Sequence, residues 1–107
     1  MKNYLFVFLK ADNLDFAAAF ARIECHYFVN GIFLEDGFIL KHCSEKLKTI
    51  PVEIVQGRYD VVCPAKSAWE LHQELPHSKL VIVPDAGHSM GEVGIADELV
   101  KITNKYR

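Results

Sequence analysis

Leu80-Val81-Ile82-Val83, followed by Pro84-Asp85-Ala86-Gly87-His88-Ser89, is the stretch whose reading decides the fold of this chain. The first four residues are all apolar and mostly β-branched. A strand with one wet face alternates apolar and polar residues. An unbroken apolar run bounded by turn residues is the pattern of a strand buried on both faces of a parallel sheet. The loop that follows sets a histidine just past the C-terminal end of that strand. In open α/β sheets this is the edge where ligands and catalytic groups collect.

Moving outward from this stretch, Pro51 to Val55 is a second short β-branched run and reads as another strand. Gly57 and Asp60 mark the loop after it. Pro64 stands where a helix begins, and Ala68, Leu71 and Leu75 continue a helical stripe that stops at Pro76. Beyond His88, the residues Ile95, Leu99, Ile102 and Tyr106 mark a last amphipathic helix. The second half is therefore expected to run strand, helix, strand, helix, with parallel strands and a right-handed crossover.

The first half is less regular. Phe16, Phe20, Ile23 and Tyr27 fall on one face of a helix that Asp12 or Asn13 could cap and Asn30-Gly31 would end. Ile32 to Lys48 has no clear period, and Ile39, Leu40 and Leu47 are its expected buried points. The expected division is residues 1–48 as an N-terminal segment with part of a cap, and 49–107 as part of an α/β core. The apolar run Tyr4 to Leu9 is too short for a membrane helix. It reads as a buried strand or as the product of an altered gene start.

Half of the 107 residues are hydrophobic and 24% are charged, the balance of a chain that buries a core. The net charge of -2, with both signs interspersed, argues against capture of nucleic acid or of an anionic membrane. Cys25, Cys43 and Cys63 are too few and too scattered for a disulfide framework. No zinc-finger spacing is present, and no metal or cofactor is expected. Reduced thiols point to the cytoplasm.

Two residues at the expected sheet edge carry chemistry. Asp60 follows the first strand in Gly57-Arg58-Tyr59-Asp60-Val61-Val62-Cys63-Pro64, and His88 follows the second. Loops after neighbouring parallel strands can meet. A carboxylate can then hold the imidazole in one tautomer, and the other ring nitrogen becomes a base. Acid before histidine near the C-terminus is the α/β-hydrolase order, in which serine comes first. Gly87-His88-Ser89-Met90-Gly91 matches the G-x-S-x-G nucleophile elbow, yet Ser89 is rejected as the nucleophile. Pro84-Asp85-Ala86 separate it from the strand, and no histidine follows it. Ser44, Ser67 and Ser78 lack a glycine elbow, so the nucleophile and the oxyanion donors are expected outside this chain. Glu24 and Phe28 are four residues apart and share a helix face. From periodicity alone, Glu24 is a surface carboxylate.

Taken together, these segments resemble one family. Phe16-Ala17-Ala18-Ala19-Phe20-Ala21-Arg22-Ile23-Glu24-Cys25-His26-Tyr27-Phe28 is similar to the ARIExHYF segment in the cap of proline iminopeptidases, with Cys25 where that family has Asn. Gly57 to Pro64 is similar to its GRYDxxCP segment, and Ala86-Gly87-His88-Ser89 to its AGHS loop. The resemblance covers residues 12–107. It implies the C-terminal portion of an α/β-hydrolase fold, parallel strands with flanking helices, together with a remnant of the helical cap. It also implies metal-free release of N-terminal proline from peptides. By the same resemblance Asp60 and His88 are triad members, Glu24 binds the proline imino nitrogen and Phe28 lines the pocket. Cys63 then lies close enough for thiol reagents to block the site. The chain is expected to be a truncated form, inactive alone, that self-associates or needs a complementary N-terminal fragment. The alternative is a non-catalytic remnant or interaction module of hydrolase-like shape.

Overall fold

Residues 14–107 are described by a computed structural model. The run Tyr4 to Leu9 and the candidate caps Asp12 and Asn13 lie outside the described residues. The chain forms two units, divided between Phe38 and Ile39.

The first unit is built on helix α1 (Leu14–Val29). The side-chain amide of Asn30 donates to the His26 carbonyl at 2.7 Å, satisfying one of the acceptors that a helix end leaves open. Gly31, Ile32 and Phe33 then form a 3-10 turn with φ of 58°, 57° and 59°. Left-handed backbone suits glycine but strains a β-branched residue such as Ile32. The turn brings the Phe33 ring against His26 and Tyr27, at centroid distances of 5.4 and 5.8 Å.

Helix α2 (Phe38–Lys46), all but its first residue in the second unit, occupies a segment where the sequence shows no clear period. Cys43 is its buried residue, with Leu40 and Leu47 half-buried. Ile39, expected inside, is 60% exposed. Leu40, Cys43 and Leu47 share one face at helical spacing, and Ile39 stands off it. The cysteine acts as a small hydrophobe here, so the stripe is easily missed.

Strands β1 (Glu53–Gly57) and β2 (Lys79–Val83) pair in parallel, in register from Glu53–Lys79 to Gly57–Val83. Between them runs α3 (Ala65–Glu74), and α4 (Val93–Lys105) follows β2. The first strand begins two residues later than Pro51, which has no N–H for the ladder. On one face Val55 and Val83 pack with Ala86, Ile95 and Leu99, so α4 covers that side. At the far end of the same face, the Glu53 carboxylate takes hydrogen bonds from Lys105 and, at 3.0 Å, from the Tyr106 hydroxyl. This ties the last turn of α4 to the start of β1. Leu75, fully buried, closes α3. The buried Ser78 hydroxyl is paired with His72 Nδ1 at 2.7 Å.

The expectation that Leu80 to Val83 is covered on both faces needs correction. Only Val83 is buried, and Ile82 is 38% exposed. Leu80 and Ile82 border an open groove with Ala65 and Trp69 of α3. One helix laid over two strands leaves part of that face uncovered.

Candidate active site

The site forms where the loops after β1 and β2 meet. Two backbone bonds bring them together. Arg58 N–H donates to the Val83 carbonyl and Tyr59 N–H to the Ala86 carbonyl, both at 2.9 Å. The parallel ladder thus continues past the strands into the loops. Gly57 makes this approach possible. A Cβ on it would lie 2.0 Å from the Gly87 carbonyl oxygen and 2.8 Å from that of Ala86.

Asp60 and His88 come together across this junction. His88 Nδ1 is 3.0 Å from Asp60 Oδ2 and 3.1 Å from Oδ1. The Asp60 side chain is only 8% exposed, whereas that of His88 is 55% exposed. Asp60 Oδ1 also accepts the N–H groups of Val62 at 3.0 Å and Cys63 at 2.8 Å, so the carboxylate folds its own loop. Gln56 braces the turn from β1. Its side-chain amide donates to the Cys63 carbonyl at 3.0 Å and approaches Asp60 Oδ2 at 3.5 Å. Burial pushes the Asp60 carboxyl up. The Cys63 N–H, the His88 ring and the Val62 N–H outweigh this and hold it below its ordinary range.

The histidine loop has its own clamp. The Glu92 carboxylate accepts the Gly87 N–H on one oxygen, at 2.9 Å, and the Ser89 N–H on the other, at 3.1 Å. These two amides flank His88, so Glu92 fixes the backbone that presents the imidazole. Sequence reading passed over Glu92. Glu92 stands one residue before α4, yet its carboxylate bonds the preceding loop amides and makes no cap bond to the helix, so its type and position gave no signal of this role. The Ser89 hydroxyl accepts the Gly91 N–H at 3.2 Å, a local turn contact. Six positions separate Ser89 from Val83, the last residue of β2, unlike the sharp strand-to-helix turn of an elbow.

Val55, Gln56, Asp60, His88, Met90 and Leu99 border a small cleft of about 150 Å³ at this point. Cys63 is exposed, and its sulfur lies within 4.8 Å of donor atoms of both Asp60 and His88. Glu24 and Phe28 sit on α1, in the first unit, both exposed.

A parallel α/β unit with helices on both faces, offering an acid and a histidine from the loops after adjacent strands, is the C-terminal portion of an α/β-hydrolase. The sequence profile of the α/β-hydrolase family described as TAP-like protein matches residues 40–100, and the chain belongs to that family. Over most of its length it is similar to the C-terminal part of proteins named proline iminopeptidase. It is 57% identical over 93 residues to a probable proline iminopeptidase of Leptolyngbya boryana, covering 86% of this chain and 29% of the relative. Identity is 52% over 99 residues to the Arabidopsis thaliana proline iminopeptidase, covering 92% and 26%. For the Xylella fastidiosa (strain Temecula1 / ATCC 700964) protein of the same name it is 50% over 95 residues, covering 89% and 30%. The chain thus spans under a third of the length of these curated relatives.

Proposed function

We propose that this chain carries the acid–histidine half of a serine hydrolase of the proline iminopeptidase type. The observation that carries the reading is the 3.0 Å contact between Asp60 and His88 from adjacent strand ends. In this role Asp60 fixes the tautomer of His88 and stabilises the imidazolium. The other ring nitrogen takes the proton of a serine and returns it to the leaving amine. The serine and the oxyanion donors come from a segment other than residues 1–107. Glu24 holds the cationic imino nitrogen of an N-terminal proline and Phe28 packs on its ring. Their placement on one face of α1 and the similarity to the named relatives support these roles. No metal or other cofactor takes part. The preferred substrates are peptides with N-terminal proline, and the site of action is the cytoplasm. Among the described residues no helix is long and apolar enough to cross a membrane.

A second reading, an interaction module without turnover, draws on the sheet. The two strands leave both outer edges unpaired among the described residues, and Trp69 and Ile82 are exposed in the groove on the sheet face that α3 partly covers. Such edges recruit further strands. We propose that the isolated chain self-associates or binds a complementary N-terminal fragment through them, and that alone it is inactive.

A graft separates the readings. The C-terminal region of the Leptolyngbya boryana relative is replaced by its 93-residue match from this chain, and proline arylamide hydrolysis is measured. An active chimera that loses turnover with His88→Ala or Asp60→Asn supports the enzyme reading. A folded but inactive chimera supports the module. Turnover by the isolated chain, abolished by Ser89→Ala, would overturn the assignment of the nucleophile.

A further inference from the structure

We infer that Asp60, Cys63 and His88 form a binding site for a zinc-class divalent cation. One donor atom from each, an oxygen, a sulfur and a ring nitrogen, lies within 4.8 Å of the others. Tetrahedral zinc with bonds of about 2.0 Å to oxygen and nitrogen and 2.3 Å to sulfur sets its donors about 3.3–3.6 Å apart. The Asp60–His88 pair, at 3.0 Å, is already near that spacing. With its sulfur at most 4.8 Å from the other two donors, Cys63 needs to move no more than about an ångström to reach that spacing.

The site is preorganised where preorganisation matters. The Cys63 backbone is held at both ends, its N–H by Asp60 and its carbonyl by Gln56. Glu92 fixes the amides on either side of His88. The sulfur itself is exposed and free of a disulfide. A mixed thiolate, imidazole and carboxylate set suits a borderline-soft ion and disfavours magnesium or calcium, which want oxygen alone. Three protein ligands leave a fourth position to water. On binding, the Cys63 proton passes to solvent, the cation displaces the proton on His88 Nδ1, and Nε2 takes up a proton from solvent, so that the imidazole binds as a neutral ligand. The ion thereby competes with the acid–base pairing. Its binding does not depend on the proposed hydrolysis, so the two can fail separately.

The test is titration of the whole chain with cobalt(II), followed by displacement with zinc(II). A thiolate-to-cobalt charge-transfer band is expected, and zinc should erase it. Cys63→Ser should remove the band, and both Cys63→Ser and His88→Asn should weaken zinc binding by at least about tenfold. Cys25→Ser should change neither. On the unmodified chain, zinc should slow alkylation of Cys63 but not of Cys25, which guards against a variant that misfolds. No charge-transfer band, a band that survives Cys63→Ser, or equal protection of both thiols would overturn the site.

Discussion

Gly57, the last residue of β1, lies directly against Gly87 in the loop after β2. A Cβ at Gly57 would stand 2.0 Å from the Gly87 carbonyl oxygen. The junction that carries Asp60 and His88 closes only because that Cβ is absent. Gly57→Ala should therefore force the loops apart. Its expected cost is about 1–3 kcal/mol, in the range of other overpacked sites, read as a lower urea midpoint. The His88 ring should at the same time lose its contact with Asp60, visible in imidazole proton shifts. An unchanged midpoint with unchanged His88 resonances would refute the steric argument.

Glu92→Ala should loosen the histidine loop and leave the sheet intact. The Gly87 and Ser89 amides lose a charged acceptor. Their hydrogen exchange should quicken by about tenfold, equivalent to about 1.5 kcal/mol for a hydrogen bond to a charged group. Amides of β1 and β2 should keep their protection, and equal acceleration across the sheet would show that Glu92 supports the whole fold instead.

Acid should unpick the Asp60 loop. Its carboxyl is held below the ordinary value of 3.8, so the carboxylate form is the one the folded loop favours. The unfolded chain therefore takes up the proton first as pH falls. The contribution is fully present above about pH 4 and is lost as pH drops through the lower folded-state value. Glu53, lowered chiefly by Lys105 from its ordinary 4.5, adds a loss of the same sign. Thermal melts between pH 3 and 6, roughly spanning these values, should show stability falling toward the acid end. Asp60→Asn should flatten part of that slope, and an unaltered slope would count against the assignment.

Leu75→Ala tests the support beneath α3. Leu75 is fully buried at the end of that helix, where the chain turns toward β2. Removing its branched end should cost about 2–5 kcal/mol, measured by chemical denaturation. A loss below 1 kcal/mol, roughly a surface value, would mean that this corner is looser than its burial suggests.

Much of the second unit was legible in the sequence. The unbroken apolar run Leu80 to Val83, the β-branched run to Val55, Pro64 at a helix start and the Ile95–Leu99–Ile102 stripe are local signals, and each led to an element that is present. Other features were not. The α2 helix hid because its inward face is a cysteine between two leucines. The exposure of Ile82 could not be read from its type, because an apolar residue looks the same whether or not a neighbour covers it. Glu92 was missed because its partners are backbone amides, which leave no mark in residue identity.

The sequence by itself determined the periodicities, the order of acid before histidine, and the three segments that resemble one family. These depend on side-chain type and spacing along a single chain. Only the tertiary structure decided that Arg58 and Tyr59 bond to the carbonyls of Val83 and Ala86, and that Gly57 meets Gly87. It also decided that Cys63 shares a corner with Asp60 and His88. Those relationships arise where two loops, separated along the chain by a whole helix and strand, are drawn together by a parallel ladder. Chain spacing carries no record of such a distance.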